Sequence, residues 1–192
     1  MEFGFAPVQS RPDFNAMRAQ ATLAETLGFQ TLWTHEHHSQ RMMYPDPLMA
    51  LAALAPVTSK IRLGTNMLLL PIHHPLRVAQ EAAMLDVLCD GRLCLGIANG
   101  YSEQDMRAFG MQGKHRGRQL EEGLTLIRRL WQGERITQRS DSFDLQDFEL
   151  FPLPLQRPNP PIYVGGHAAV AIDRAARLGD EYLISTTQKF DE

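Results

Sequence analysis

The sequence has little cysteine, no long apolar run and almost no excess of charge, and each shortage excludes a class of protein. Of the 192 residues, two are cysteines, Cys89 and Cys94, and their spacing fits neither a zinc site nor a redox pair. We expect both to be small buried side chains. The formal net charge is −3 and the charged residues are interspersed, so neither nucleic acid nor an anionic membrane is an expected partner.

The chain also lacks the segments that direct a protein to or through a membrane. No apolar run approaches the roughly 20 residues that a spanning helix needs. Residues 1–5 have neither the cationic start nor the apolar stretch of a signal peptide. We therefore expect a cytoplasmic protein with no membrane segment.

Strand and helix patterns alternate along the chain, which with 44% apolar residues predicts one domain over residues 1–192. Strand starts near residues 30, 61 and 92 have the spacing of consecutive βα units. The predicted strands are 3–8, 30–34, 61–70, 92–97, 161–164 and 181–185. The predicted helices are 14–24, 47–57, 76–88, 120–131 and 168–178. Residues 132–161 interrupt this order and are interpreted as a surface excursion containing a small hairpin, with strands near 135–137 and 142–145.

Repeated β/α units with nearly continuous apolar strands indicate a parallel sheet that is either doubly wound or closed into a barrel. No Gly-x-Gly-x-x-Gly follows the first strand, whereas polar residues recur just after several strands, as at a barrel mouth. The sequence therefore predicts an α/β fold of the TIM (β/α)8 type. About six of the eight units of such a barrel are visible, so we expect a barrel truncated at its carboxyl end.

The densest group of titratable residues, His35–His38, follows the second predicted strand and includes Glu36, His37 and His38. An imidazole exchanges protons near neutral pH, and a neighbouring carboxylate can orient or charge it. A supporting hydrogen-bond network is the simpler interpretation for any one histidine, while a function is favoured for the group. His73 and His74 would lie near the same mouth, where shaping the turn into the next helix is the favoured interpretation.

Small residues follow two further predicted strands. A glycine there lets backbone N–H groups approach a ligand, and a helix starting near Ala168 would present its positive dipole end to a phosphate. These segments predict a phosphate-bearing cofactor, held by Asn99, Gly100, Tyr101, Gly165, Gly166 and His167. A metal site on His35 and His37 is the weaker alternative, because the last two predicted strands add only His167 and Lys189.

Several short motifs occur in a fixed order along essentially the whole chain. They are Gly28–Trp33, Glu36–His38, Pro45–Pro47, Ile61–Thr65, Leu70–Pro71, His74–Arg77, Leu85–Asp86, Asp90–Arg92 and Pro160–Gly166. In this order they resemble the bacterial luciferase-like flavin-dependent monooxygenases.

The resemblance implies a barrel that binds reduced FMN and uses O₂ to oxidise a small organic substrate. It implies a separate flavin reductase, a homodimer, and a catalytic role for the first histidine of the triplet, His37, supported by Glu36 and His38. It also places a cis peptide bond beneath the flavin ring, at Asn66 and Met67.

The chain departs from luciferase proper at two positions of this pattern. Ala98 replaces a reactive cysteine and Asn99 replaces an arginine that binds the flavin phosphate, so light emission is not expected. The alternatives are an oxidoreductase of the same fold that uses the deazaflavin F420, a non-catalytic flavin-binding fragment and, less favoured, a metal-dependent hydrolase barrel.

Overall fold

A computed structural model describes residues 3–7, 13–38, 44–111 and 113–183, and the ends of the predicted strands 3–8 and 181–185 lie outside these residues. The strands are β1 Gly4–Phe5, β2 Thr31–Thr34, β3 Arg62–Thr65, β4 Leu93–Ile97, β5 Ile136–Arg139, β6 Asp144–Phe148, β7 Ile162–Gly165 and β8 Glu181–Leu183. The helices are α1 Phe14–Thr26, α2 Pro47–Leu54, α3 Pro75–Leu88, α4 Glu103–Ala108, α5 Arg116–Trp131 and α6 Ala169–Leu178. Short 3-10 helices cover Ala55–Val57, Leu70–Ile72 and Gly113–His115.

Six parallel strands form one sheet in the order β1-β2-β3-β4-β7-β8. Neighbouring strands in the sheet follow one another along the chain, apart from the antiparallel β5–β6 hairpin inserted between β4 and β7. A doubly wound sheet would reverse its strand order at a switch point, and the described strands show no reversal. The sheet is therefore part of a (β/α)8-type barrel, as predicted.

Helix α5 shows how the helices of the outer layer pack on one another. Its buried side chains recur at helical spacing and include Leu120, Leu124 and Ile127. Trp131, in the last turn, is buried and donates its indole N–H to the Ala79 carbonyl of α3 at 3.0 Å. The helix that the sequence predicts over residues 120–131 is confirmed, and it begins earlier, at Arg116.

Trp33 fills the concave side of the sheet. Gly4 on β1 and Gly64 on β3 face its ring, and a Cβ atom at either position would overlap the ring. The ring also meets Tyr163 of β7 edge to face, with centroids 5.3 Å apart. Two glycines on the flanking strands thus make room for one large aromatic side chain.

The third strand ends earlier than predicted, at Thr65 and not at Leu70. A cis peptide bond follows at Asn66–Met67, and beyond it an isolated bridge joins Leu68 to Ile97. Leu68 and Leu70 are nevertheless buried, and Leu70 packs close to Gly123 of α5. Burial against a helix explains the apolar run that the pattern assigns to a strand.

Two further elements test the sequence predictions. Residues 132–161 contain the predicted hairpin, β5–β6, whereas helix α4 was not predicted. Cys89 and Cys94 are both buried and free of disulfides, as expected, and burial raises the pKa of the Cys94 thiol to about 11.

Within the described residues, no helix combines the length and the apolar character needed to cross a bilayer.

The contact between β3 and β4 leaves no room for a side chain at Gly96. The Thr65 hydroxyl donates to the Gly96 carbonyl at 2.7 Å and accepts the Gly96 N–H at 2.9 Å, and a Cβ at Gly96 would overlap the Thr65 carbonyl oxygen. We expect Gly96→Ala to lower the free energy of unfolding by about 3 kcal/mol, because backbone atoms would have to separate. Urea unfolding measures this effect.

Gly113→Ala is the matched control, since nothing lies within 4 Å of a Cβ at that position. It should leave the midpoint of the urea transition nearly unchanged. Equal effects of the two substitutions would contradict the tight β3–β4 contact.

Candidate active site

Every site residue predicted from the sequence lies at the carboxyl edge of the sheet. Because all six strands are parallel, the segments that follow β2, β3, β4 and β7 meet at this edge. Gly165 is the last residue of β7, and these segments carry the other predicted site residues, in chain order Glu36, His37, His38, Asn66, Met67, Asn99, Gly100, Tyr101, Gly166 and His167.

Glu36 is the buried centre of the cluster, with 2% of its surface exposed. Its Oε1 atom lies 2.7 Å from Nε2 of His38 and 2.7 Å from Nε2 of His73. Its Oε2 atom accepts the Leu69 N–H at 2.6 Å. One carboxylate therefore joins the segment after β2 to the segment after β3.

The ionisation of Glu36 and that of His73 support each other. Burial disfavours the charged form of Glu36, but the hydrogen bond and charge of His73, together with the Leu69 N–H and His38, lower the pKa of Glu36 below its usual value. Burial likewise disfavours a charged His73, but the hydrogen bond and charge of Glu36 raise the pKa of His73. At pH values between the lowered pKa of Glu36 and the raised pKa of His73, the pair therefore consists of a carboxylate and an imidazolium.

His37 has a different environment from His38. Its ring lies beside that of Tyr101 after β4, with centroids 6.4 Å apart, whereas the His38 ring packs on Phe109 at 4.6 Å. Partial burial and the neighbouring His35 ring lower the pKa of His37, an effect that the carboxylates of Asp105 and Glu36 only partly oppose. A neutral imidazole at neutral pH can accept a proton.

Asn66 and Met67 form the floor between the strand ends. The peptide bond that joins them is cis, as the family resemblance implies, and the Asn66 N–H donates to the Thr34 carbonyl at 2.6 Å. The Met67 side chain lies over two strands, because a Cβ at Gly165 would come within 2.6 Å of its Cε and one at Gly96 within 3.4 Å of its Sδ. Met67 thus gives the floor an apolar surface.

Asn99 faces a buried arginine that sequence reasoning missed. With its amide oxygen turned towards Arg174, Asn99 accepts from Nη1 at 3.2 Å and donates to the Arg116 carbonyl at 3.3 Å. Arg174 is 5% exposed and its Nε atom donates to Glu121 of α5 at 2.9 Å. Helix α6 thereby brings a guanidinium against the segment after β4.

The glycines at this edge make room for the protein's own side chains. Gly100 has φ +72°, and a Cβ there would come within 2.6 Å of Met106 Cε. Gly166 has φ +148°, and a Cβ there would come within 2.6 Å of the Ala171 Cβ. The expectation that these glycines leave space for a ligand stays a prediction, since close packing already accounts for both.

The start of α6 is exposed beside these glycines. His167 and Ala168 are exposed, and Ala168, the residue that caps the helix, provides no side-chain hydrogen bond to its first turn. The first-turn N–H groups of α6 therefore lie next to the turn at Gly165–Gly166.

His73 makes a contact that sequence reasoning did not predict. Its proline neighbourhood favoured a role in shaping the turn, but its ring is bonded to Glu36. His74, by contrast, is exposed and its side chain does not cap α3. The sequence does hold one indication of this contact, because His73 follows a strand that is parallel to β2 and adjacent to it.

Over the ranges that the structure describes, no group of three or more His, Cys, Asp or Glu residues is placed to hold a metal ion.

Comparison with known proteins assigns this arrangement to a family. The profile of the family described as "Luciferase-like monooxygenase" matches residues 1–192. The oxygenase component of flavin-dependent trigonelline monooxygenase from Acinetobacter baylyi is 33% identical over 182 residues, which cover 93% of this chain and 50% of that protein. The F420-dependent hydroxymycolic acid dehydrogenase of Mycobacterium tuberculosis is 33% identical over 192 residues, which cover 94% of this chain and 52% of that protein.

Solved structures show the same fold. The oxygenating constituent of 3,6-diketocamphane monooxygenase from Pseudomonas putida, in complex with FMN, superposes with a TM-score of 0.79 at 25% identity. The alignment covers 88% of this chain and 52% of that one. The chain thus spans about half the length of the relatives that it matches.

The Glu36 and His73 pair predicts a stability maximum at mildly acidic pH. The lowered pKa of Glu36 stabilises the fold above about pH 4.5 and loses this effect as the pH falls through the folded-state value. The raised pKa of His73 stabilises the fold below about pH 6.5 and loses this effect as the pH rises through its folded-state value. We expect Glu36→Gln to cost about 2 kcal/mol of unfolding free energy at pH 5.5 and clearly less at pH 9.

Urea unfolding at the two pH values measures the difference. Glu103→Gln removes an exposed carboxylate whose partner is Arg107, and this control should change stability little at either pH. A cost for Glu36→Gln that is the same at both pH values would contradict the charged pair.

Proposed function

The chain belongs to the luciferase-like monooxygenase family, and on that premise we propose that it acts as a flavin-dependent monooxygenase, using reduced FMN and O₂ to oxidise a small organic substrate. One observation carries the proposal. The Glu36 cluster, the apolar Met67 floor and the cationic Arg174 region occur together along one sheet edge. Since the chain spans about half of its relatives, the activity is a proposal for the protein that contains it.

The residues at this edge fit FMN in their chemistry. The exposed first turn of α6, Asn99 and the buried Arg174 guanidinium suit a phosphate. Met67 and the backbone of Asn66 would support the isoalloxazine ring, with Tyr101 at the rim. Gly100, Gly165, Gly166 and His167 would complete the site through their backbone.

Reduced FMN would supply the electrons for O₂ reduction, and the protein must bind, orient and manage protons. His37, neutral at neutral pH, would accept a proton at an imidazole nitrogen and return it later. His38 and Glu36 would hold the segment that carries His37, because their hydrogen bond fixes both side chains. Phe109 packs against the His38 ring on this side of the cluster and would help to hold that ring in place.

F420 is the second candidate cofactor. The observation that favours it is the dehydrogenase relative of Mycobacterium tuberculosis, which is named as F420-dependent and matches 94% of this chain. The oxygenase relatives and the Glu36–His38 triplet support FMN. An F420 enzyme would use the same sheet edge without O₂ as a substrate.

We further propose a separate flavin reductase as partner, because one relative is named as the oxygenase component of its enzyme. A homodimer and a cytoplasmic location follow from the resemblance and the sequence. Large apolar side chains on the outer helices support an association surface, and the exposed ones on α1 to α3 are Leu23, Met49, Met84 and Leu88.

Anaerobic titration with reduced FMN tests the cofactor directly. We expect saturable binding by the full-length protein, monitored by flavin fluorescence, with weaker binding of reduced F420. Arg174→Met should weaken FMN binding more than riboflavin binding, because the loss falls on the phosphate. Absence of FMN binding by a folded full-length protein would reject the proposed function.

Substitution of His37 tests its role in proton transfer. We expect His37→Ala to lower the turnover number by about 10² to 10⁴-fold, with a much smaller change in flavin affinity. His115→Ala removes an exposed histidine at the start of α5 and serves as the control, with turnover near that of the unsubstituted protein. A similar loss in both variants would argue against a specific role of His37.

A further inference from the structure

The bonding of Glu36 differs from what the triplet suggests. A triplet of adjacent residues suggests support from within one segment, yet two of the three groups bound to Glu36 come from the segment after β3. These are the Leu69 N–H at 2.6 Å and the His73 ring at 2.7 Å, and the third is His38 at 2.7 Å. The position of Glu36 is therefore determined largely from outside its own segment.

We propose that His73 is a positioning residue of this site, which clamps the Glu36 carboxylate to the segment after β3 and thereby fixes the segment that carries His37 and His38. The inference rests on the proposed function for its catalytic consequence. The contact between His73 and Glu36 does not depend on that function.

Charge explains why a histidine suits this position. The Glu36 side chain has no exposed surface, so an ionised carboxylate there needs a cationic partner as well as hydrogen bonds. The acidic groups that act on the His73 ring are Glu36 itself, Asp46 at the start of α2 and Glu81 on α3. Burial disfavours the protonated form, but these three carboxylates favour it and raise the pKa of His73.

The clamp extends across three segments of the sheet edge. Glu36 and His38 lie after β2, Leu69 and His73 after β3, and Phe109, which meets the His38 ring, at the end of α4. Loss of the His73 contact would leave a buried carboxylate with one charged partner fewer and free its segment to move. A displacement of about 1 Å at a catalytic group can reduce a rate by up to 10²-fold.

Histidine titration by NMR tests the clamp without cofactor. In long-range ¹H–¹⁵N spectra of the full-length protein recorded against pH, we expect the His73 signal to titrate above 6.5. In Glu36→Gln the same signal should titrate at or below that value, because burial remains and the charge is gone. Titration of His73 at or below its ordinary value in the unsubstituted protein would overturn the proposal, whatever the protein binds.

Kinetics of matched variants test the catalytic consequence. Gln at position 73 keeps a side-chain N–H donor and removes the charge, so we expect His73→Gln to lower kcat by about tenfold or more, with the Kd of reduced FMN within about threefold. Because the pKa of His73 is raised, we expect kcat of the unsubstituted protein to fall at alkaline pH as His73 loses its proton, and we expect this fall to be absent from His73→Gln. His74→Gln, at an exposed neighbouring position, should match the unsubstituted protein.

The outcomes separate the two proposals. Normal FMN binding with unchanged kcat and pH profile in a folded His73→Gln would overturn the positioning role and leave the flavin function intact. Lack of FMN binding by the unsubstituted protein would reject the function, while the NMR titration would still decide whether His73 holds Glu36.

Discussion

A buried carboxylate must be compensated where it lies, and Glu36 imposes that requirement on the whole sheet edge. Its side chain has no exposed surface, so each of its donors has to be delivered by folded structure and not by water. Those donors come from His38, Leu69 and His73, which lie after two neighbouring strands. Adjacent parallel strands place these segments together, so the chemistry of the cluster depends on the register of β2 and β3.

Close backbone packing supports the same edge from below. Thr65 and Gly96 exchange hydrogen bonds through the threonine hydroxyl, and Met67 lies over Gly96 and Gly165. A larger residue at Gly96 would overlap the Thr65 carbonyl oxygen and separate β3 from β4, and one at Gly165 would displace the end of the Met67 side chain. The glycines of the strand ends therefore act through packing, and any contact that they make with a flavin would add to that role.

The positive charge beside Asn99 comes from Arg174 of helix α6. The sequence has Asn99 where luciferase has a phosphate-binding arginine. In the structure Arg174 reaches Asn99 from helix α6 and is held there by Glu121. The guanidinium beside position 99 therefore comes from α6 and not from the segment after β4.

The sequence alone determined the alternation of strands and helices, the parallel barrel type and the edge where the polar residues gather. These follow from periodicity and from the rule that parallel strands end on one side. The family motifs also located the cis bond at Asn66–Met67. The end of β3 was misplaced because Leu68 and Leu70 are buried against other elements, and apolar character does not distinguish that from burial in a strand.

Only the tertiary structure decided which side chains meet. It bonded His73, and not His74, to Glu36, separated the surroundings of His37 and His38, and placed Arg174 beside Asn99. Glu36 and His73 are 37 residues apart, and Asn99 and Arg174 are further apart still. Local patterns report the period and polarity of a segment, whereas such contacts depend on strand register and helix packing, which no short segment contains.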